Sequence, residues 1–176
     1  MPQAPASRSI PTKILLPMDF SPSSDAALAM ATDLAQHFRA ELHLLHVVPM
    51  IPMATGVDAF PETPLPFEMT YLQESRGRAE QKLAKYIGAL VSKGVAARSN
   101  VEIGNDVVGN IMTVIESEHI DMVVISTHGI SGWRPLVFGS IAEKVVRLVQ
   151  CPLLLLRSVE PVATVAVAAV NVEKSR

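Results

Sequence analysis

The sequence has one cysteine and no long apolar run, and each shortage excludes a class of protein. The single thiol, Cys151, can form neither an internal disulfide nor a thiolate metal cluster. It sits at the edge of an apolar run, which favours a buried small hydrophobe over a reactive thiol. The longest apolar runs, 153–156 and 162–170, fall far short of the roughly 18 residues that a membrane helix needs. The chain is therefore predicted not to enter a membrane.

An excess of charge of one sign is also lacking, because 15 Lys and Arg residues oppose 17 Asp and Glu residues, for a net charge of -2. Without a broad cationic field, binding to nucleic acid through phosphate neutralisation is not expected. Residues 1–12 hold proline and serine where a secretory signal would need an apolar run. We interpret them as a flexible lead and expect a cytoplasmic protein whose partner is a small molecule or another protein.

Apolar residues, by contrast, are abundant, at 49% of 176 residues, which is enough for the core of a single domain. Short apolar segments predict strands at 13–18, 41–48, 97–103, 121–126 and 152–157. Four of the five lack polar alternation, which is typical of strands covered on both faces.

Helical spacing of apolar residues between those strands predicts helices at 22–38, 68–93, 107–118 and 140–150. Ser21 before Pro22 is a typical helix start, and either Asn105 or Asp106 is expected to cap the third helix. The alternation predicts an α/β fold, a single doubly wound domain at 13–157 with a five-stranded parallel sheet and helices on both faces.

Two segments lie outside this alternation. Residues 49–67 carry five prolines and two methionines without any period, so they are predicted to form a long loop. That loop is either a lid or partner surface, or a plain covering connection. The extension at 158–176 is either a strand that pairs with a second subunit or a disordered tail.

In an open parallel sheet, ligands bind beyond the carboxyl ends of the strands where the strand order reverses, so polar residues there are site candidates. Asp19 follows the first strand directly. Its carboxylate could accept hydrogen bonds from ribose hydroxyls or another polar ligand. It could equally stabilise the turn by accepting from backbone N–H groups.

The loop after the fourth strand is rich in glycine, with Gly129, Gly132 and Gly139 followed by Ser140 at a helix start. Glycines let backbone N–H groups approach a ligand closely, and a helix N-terminus favours an anion, so this loop is a candidate phosphate site. It is no P-loop, because no Gly-Lys-Ser/Thr follows the glycines. Arg134 is either a cationic contact or a solvated surface residue.

The stretches "KILLPMDFSPSSDAAL", "ELHLLHVV" and "DMVVISTHGISGWRPLVFGSIAEKVVRLVQCPLLLLR", in this order, resemble a universal stress protein over 13–157. The resemblance implies an adenine-nucleotide alpha-hydrolase-like fold. It also implies a homodimer in which the last strand often pairs across the dimer axis.

Nucleotide-binding members of that family carry G-x2-G-x9-G-(S/T) after the fourth strand. The motif aligns here on Gly129, Gly139 and Ser140, while its first glycine position is occupied by Ser126. A serine there adds a Cβ and a hydroxyl, which either crowd the ligand or replace a contact. The resemblance further implies that Asp19 contacts ribose, that the backbone at Val47 meets adenine and that Pro17 forms a pocket wall.

The ligand implied by the resemblance is ATP or AMP, and Asp19 could coordinate a Mg²⁺ ion that arrives with it. No catalytic constellation stands out, since His128 belongs to a turn typical of the family and is assigned a structural or ligand-orienting role. His43 and His46 project from opposite faces of one strand and cannot share a metal.

We therefore favour a dimeric nucleotide-binding module of the stress response over two alternatives. One is a slow ATP-hydrolysing enzyme. The other is a nucleotide-independent adaptor that has a vestigial pocket and captures an unknown protein partner.

Overall fold

The computed structural model describes residues 10–50, 66–127 and 139–157, in which five strands form one parallel sheet. The strands in chain order are β1 (Lys13–Pro17), β2 (Glu41–Val48), β3 (Ala97–Ile103), β4 (Met122–Ser126) and β5 (Leu153–Leu156). The helices are α1 (Pro22–Phe38), α2 (Pro66–Ser92), α3 (Val107–Ser117) and α4 (Ser140–Leu148). The predicted α/β class is confirmed, and each predicted element has its counterpart with ends shifted by two residues at most.

The strand order is β3-β2-β1-β4-β5, so the chain builds outward from β1 to β3 and then returns to the other side of β1. β1 and β4 are parallel neighbours, with Ile14 opposite Met122 and Leu15 opposite Val123. The strand order reverses between these two strands. A crevice at their carboxyl ends is the expected ligand position in such a sheet.

The sheet separates two apolar cores, because side chains alternate along each strand. On β1, Leu16 packs into the core made with α1 and α2, which includes Leu83 of α2. Leu15 packs into the core made with α3 and α4, which includes Ile111 of α3. All four side chains have 0% exposure, so the sheet is covered on both faces as its continuous apolar strands predict.

Local side-chain hydrogen bonds set the helix starts. The Ser21 hydroxyl accepts from the Ser24 N–H at 3.2 Å at the start of α1. Asp106, and not Asn105, caps α3, because its carboxylate accepts from the Gly109 N–H at 2.9 Å. Helix α2 begins at Pro66, inside the predicted 49–67 loop, with proline at the first helical position where no N–H is needed.

Within the described ranges, no helix has the length and apolar character to cross a bilayer.

Asp121 ties together the starts of the two strands that flank the reversal. Its carboxylate accepts hydrogen bonds from the Thr12 N–H at 2.8 Å, the Thr12 hydroxyl at 2.6 Å and the Lys13 N–H at 2.9 Å. Partial burial acts to raise the pKa of this carboxyl, but the hydrogen bonds outweigh it and hold the pKa below its ordinary value. The ionised form of Asp121 is therefore the one that stabilises the folded chain.

Replacing Asp121 with asparagine is expected to lower the free energy of unfolding at neutral pH by about 1–2 kcal/mol, because the charged acceptor is lost. A carboxyl whose pKa is depressed on folding stabilises above its unfolded pKa, and this contribution disappears as the pH falls through the folded pKa. The stability difference between wild type and variant should therefore shrink below about pH 4. Urea unfolding at several pH values checks this, with Asp33→Asn on the exposed face of α1 as the control. A difference that stays constant into acid would contradict the assignment.

Candidate ligand-binding site

A cavity of about 380 Å³ opens at the carboxyl ends of β1, β2 and β4, beneath the first turns of α3 and α4. Its volume lies within the range of small-molecule sites. The residues that line it are Pro17, Met18, Asp19, Leu45, His46, Val47, Val107, Ile111, Ile125, Ser126, Thr127, Gly139, Ser140, Ile141 and Ala142. The cavity therefore lies where the strand order reverses.

One part of the lining is apolar and comes from the strands and from α3. Leu45 and Ile111 are essentially fully buried, and Val47 and Val107 pack against the same core. Side chains that are packed in a dense core keep their conformations when a ligand binds. This wall suits a flat, largely apolar ring.

Asp19 brings a carboxylate to the edge of the same cavity. One of its oxygens accepts a hydrogen bond from the Ser21 N–H at 3.1 Å, so the turn-stabilising role considered from the sequence is present. A carboxylate offers about four lone-pair sites, and one hydrogen bond to the turn does not exclude a second role toward a ligand. The structure thus shows the turn-stabilising role of Asp19, and its role toward a ligand stays a prediction.

The end of β4 and the start of α4 meet at the same cavity. Gly139 N–H donates to the Thr127 carbonyl at 2.7 Å, which brings together the two ends of the segment 128–138. Thr127 N–H donates in turn to Leu156 of β5 at 2.8 Å. Gly139 is the N-cap of α4, and within the part of the chain that the structure describes no side chain caps this helix start. The first amides of α4 carry the partial positive charge that suits an anionic group.

The predicted site residues fall into two sets. Those that the structure brings to one cavity are Pro17, Asp19, Val47, Ser126, Gly139 and Ser140. His128, Gly129 and Gly132 lie outside the described residues, as does Arg134. The roles assigned to both sets remain predictions, while the convergence of the first set is observed.

Several lining residues were not predicted from the sequence. Met18 and His46 are linked, because the His46 Nδ1–H donates to the Met18 carbonyl at 2.9 Å. Ile111 comes from a helix that carries no ligand-binding motif, whereas Thr127 is one of the two variable positions between Ser126 and Gly129 in the aligned motif. Their positions in the fold differ. Met18 and Thr127 directly follow β1 and β4, His46 lies near the carboxyl end of β2, and Ile111 lies on α3.

A cluster of charged side chains lies away from the cavity, at the amino end of β2. Arg98 donates two hydrogen bonds of 2.9 Å to Glu41 and holds the pKa of that carboxyl below its ordinary value, against the opposing effect of burial. Buried His43 contacts the same carboxylate at 2.9 Å. His46, on the other face of β2, has different partners, and among the described residues no three His, Cys, Asp or Glu side chains form a group that could hold a metal. This cluster joins β2 to β3 and lies at the opposite end of the sheet from the cavity.

Comparison with known proteins gives one consistent family. A model of the universal stress protein family matches residues 11–157. Universal stress protein YxiE of Bacillus subtilis is 28% identical over 153 residues, an alignment that covers 82% of this chain and 98% of the relative. The structure of universal stress protein UspA from Lactobacillus plantarum has a TM-score of 0.71 at 22% identity, covering 85% of this chain and 99% of that protein.

Two structures with the same fold contain nucleotides. A universal stress protein in complex with cAMP has a TM-score of 0.56 at 17% identity, covering 85% of this chain and 98% of that one. The universal stress protein from Archaeoglobus fulgidus in complex with dAMP has a TM-score of 0.53 at 14% identity, covering 84% and 98%. At such identities the likeness shows the fold alone.

Proposed function

This chain belongs to the universal stress protein family, and from that premise we propose that its cavity binds ATP or AMP and that the protein acts as a regulatory binding module. The observation that carries the proposal is the composition of the cavity lining. An apolar wall, the Asp19 carboxylate and the start of α4 line one space of about 380 Å³. The cAMP and dAMP complexes of structural neighbours support the choice of an adenine nucleotide.

The lining suits the three parts of such a ligand. Apolar Val47 and Ile111 suit the adenine ring, and the Val47 backbone provides polar groups beside it. Asp19 suits the ribose hydroxyls, because a carboxylate accepts their hydrogen bonds, and it could also contact a Mg²⁺ ion that the nucleotide brings. Gly139 and Ser140, at the positive end of α4, suit the phosphates.

Ser126 tests how far the family pattern extends to this chain. It is the last residue of β4, half-buried, and it lines the cavity at the position where the motif has its first glycine. Ser126→Gly is expected to change the Kd for ATP by less than about tenfold, because only a Cβ and a hydroxyl are removed. Ser126→Leu is expected to weaken binding by more than tenfold, about 1.4 kcal/mol or more, because the longer side chain fills part of the cavity. Equal affinities for both variants would place the ligand elsewhere.

The proposal itself is tested by nucleotide content and by titration. Protein purified from cells is denatured and its released nucleotides are separated, and the emptied protein is titrated calorimetrically with ATP and AMP in the presence of Mg²⁺. Near-stoichiometric adenine nucleotide or saturable binding supports the proposal. Absence of both at millimolar ligand would contradict it and favour the nucleotide-independent adaptor.

Turnover separates a binding module from an enzyme. Catalysis of ATP hydrolysis needs a group that activates the attacking water next to the phosphates. We expect phosphate release by the ATP-bound protein to stay near the uncatalysed background. Steady release that is abolished by His128→Ala would establish the slow ATPase instead.

We also expect a homodimer. In the described part of the sheet, β5 forms one edge, and its four leucines are all half-buried. An apolar edge strand is a template for pairing with another chain. Sedimentation equilibrium should therefore give twice the chain mass of 19.0 kDa. A monomer at micromolar concentration would contradict this expectation without affecting the cavity.

A further inference from the structure

Phe20 has an unusual backbone conformation directly beside the proposed ribose contact. Its φ angle is 62°, in the left-handed region that bulky side chains rarely adopt. It separates Asp19 from Ser21, which is the N-cap of α1. A conformation of this kind persists only where surrounding contacts hold it in place.

Three side chains from β2 and α2 supply those contacts. The centre of the Phe20 ring lies 4.4 Å from the centre of the His46 ring and 6.3 Å from the centre of the Tyr86 ring. The planes of the Phe20 and Tyr86 rings are almost parallel, at an angle of 11°. The Lys82 Nζ lies 4.8 Å from the centre of the Phe20 ring. Aromatic neighbours and a cation at such distances attract a phenyl ring.

Tyr86 is itself held in place by α1. Its hydroxyl donates to the Asp25 carboxylate at 2.8 Å. This hydrogen bond, together with burial, raises the pKa of the Tyr86 phenol, so the hydroxyl keeps its proton at neutral pH. We call His46, Lys82 and Tyr86 the clamp on Phe20. Through the hydrogen bond to Asp25, this clamp connects β2, α1 and α2.

At this left-handed turn, the adjacent side chains of Asp19 and Phe20 lie in different surroundings. Asp19 lines the cavity, whereas Phe20 packs against the core made with α1 and α2. On the other side of Asp19, the Met18 carbonyl accepts from the ring of His46. The carboxylate is thus placed by contacts on both of its chain neighbours, and His46 takes part in both.

We propose that Phe20 is a positioning residue for the ligand site, whose clamped ring holds the Asp19 carboxylate in the orientation that recognises ligand hydroxyl groups. The inference rests on the proposed function, because it assigns Asp19 to a nucleotide. Loss of the ring frees the turn, and Asp19 then discriminates less between a sugar with hydroxyls and one without. The apolar wall and the start of α4 are unaffected by this loss.

The test compares binding of ATP with that of 2′,3′-dideoxy-ATP by calorimetry on the full chain. Phe20→Asn removes the ring but tolerates a left-handed backbone, whereas Phe20→Tyr keeps an aromatic ring. Wild type and Phe20→Tyr are expected to prefer ATP by about tenfold, and Phe20→Asn is expected to bind the two ligands about equally. When Asp19 is already alanine, adding Phe20→Asn should leave the ratio unchanged, because there is no carboxylate left to position.

A second pair of variants leaves Phe20 in place. Tyr86→Leu removes the stacked ring and should reduce the preference for ATP, while Tyr86→Phe keeps the ring and should reduce it less. These variants decide the matter if Phe20→Asn does not fold, which its thermal unfolding curve reports.

Two negative results have different meanings. A wild type that binds ATP, with variants that keep its full preference over the dideoxy analogue, overturns the positioning role alone. A wild type that binds neither ligand overturns the proposed function, and the positioning role with it.

Discussion

Replacing Asp19 with alanine is expected to weaken ATP binding by about ten- to a hundredfold, measured by calorimetric titration of wild type and variant side by side. A hydrogen bond to a charged acceptor contributes about 1.5–3 kcal/mol, and each 1.4 kcal/mol is a factor of ten in affinity. Asp19 lines the same cavity as the apolar wall and the residues at the start of α4. The loss should therefore appear for ATP and AMP alike, since both carry the same ribose.

Two controls separate the ligand role of Asp19 from its structural role. In Asp19→Asn, the amide oxygen can still accept from the Ser21 N–H, so the turn is preserved while the charge is lost. Asp33→Ala removes an exposed carboxylate from α1 and should leave affinity unchanged. If Asp19→Ala binds ATP as well as wild type, the carboxylate serves the turn alone.

The second large effect is expected on stability. Leu83→Ala should lower the free energy of unfolding by about 2–5 kcal/mol, because the side chain has 0% exposure and its removal leaves a cavity. Leu83 lies on α2 in the core that also holds Leu16 and Leu44 of the sheet. Urea denaturation monitored by circular dichroism measures the change.

Val91 provides a matched control on the same helix, because its side chain is 58% exposed. Val91→Ala should change stability by no more than about 0.5 kcal/mol. Equal effects of the two substitutions would mean that α2 does not pack on the sheet as the structure shows. The outcome also bears on the clamp around Phe20, since Lys82 and Tyr86 lie on this helix.

Much of the fold could be predicted because its signals are local. Continuous apolar strands such as 122–126 must be covered on both faces, and helical spacing between them provides the cover. The capping residues Ser21 and Asp106 act within three residues of themselves, so the helix starts are encoded beside them. The sequence does not decide between Asp106 and Asn105, because either side chain can cap a helix and only the backbone geometry selects one.

The site was predictable in part. The rule for ligand positions in open parallel sheets identified Asp19 and the β4–α4 region, and the family resemblance added Pro17, Val47 and Ser126. Ile111 could not be found in this way. The approach of Ile111 to the cavity depends on how α3 packs against the sheet, which contacts between distant parts of the chain decide.

By itself, then, the sequence determined the order and kind of the elements, the two apolar faces of the sheet and the strand ends at which polar residues gather. These properties depend on residues close together in the chain. Tertiary structure alone decided that Asp121 joins β1 to β4 and that His46, Lys82 and Tyr86 enclose Phe20 in a left-handed turn. No local preference favours that turn for phenylalanine, so contacts from β2 and α2 must offset its strain.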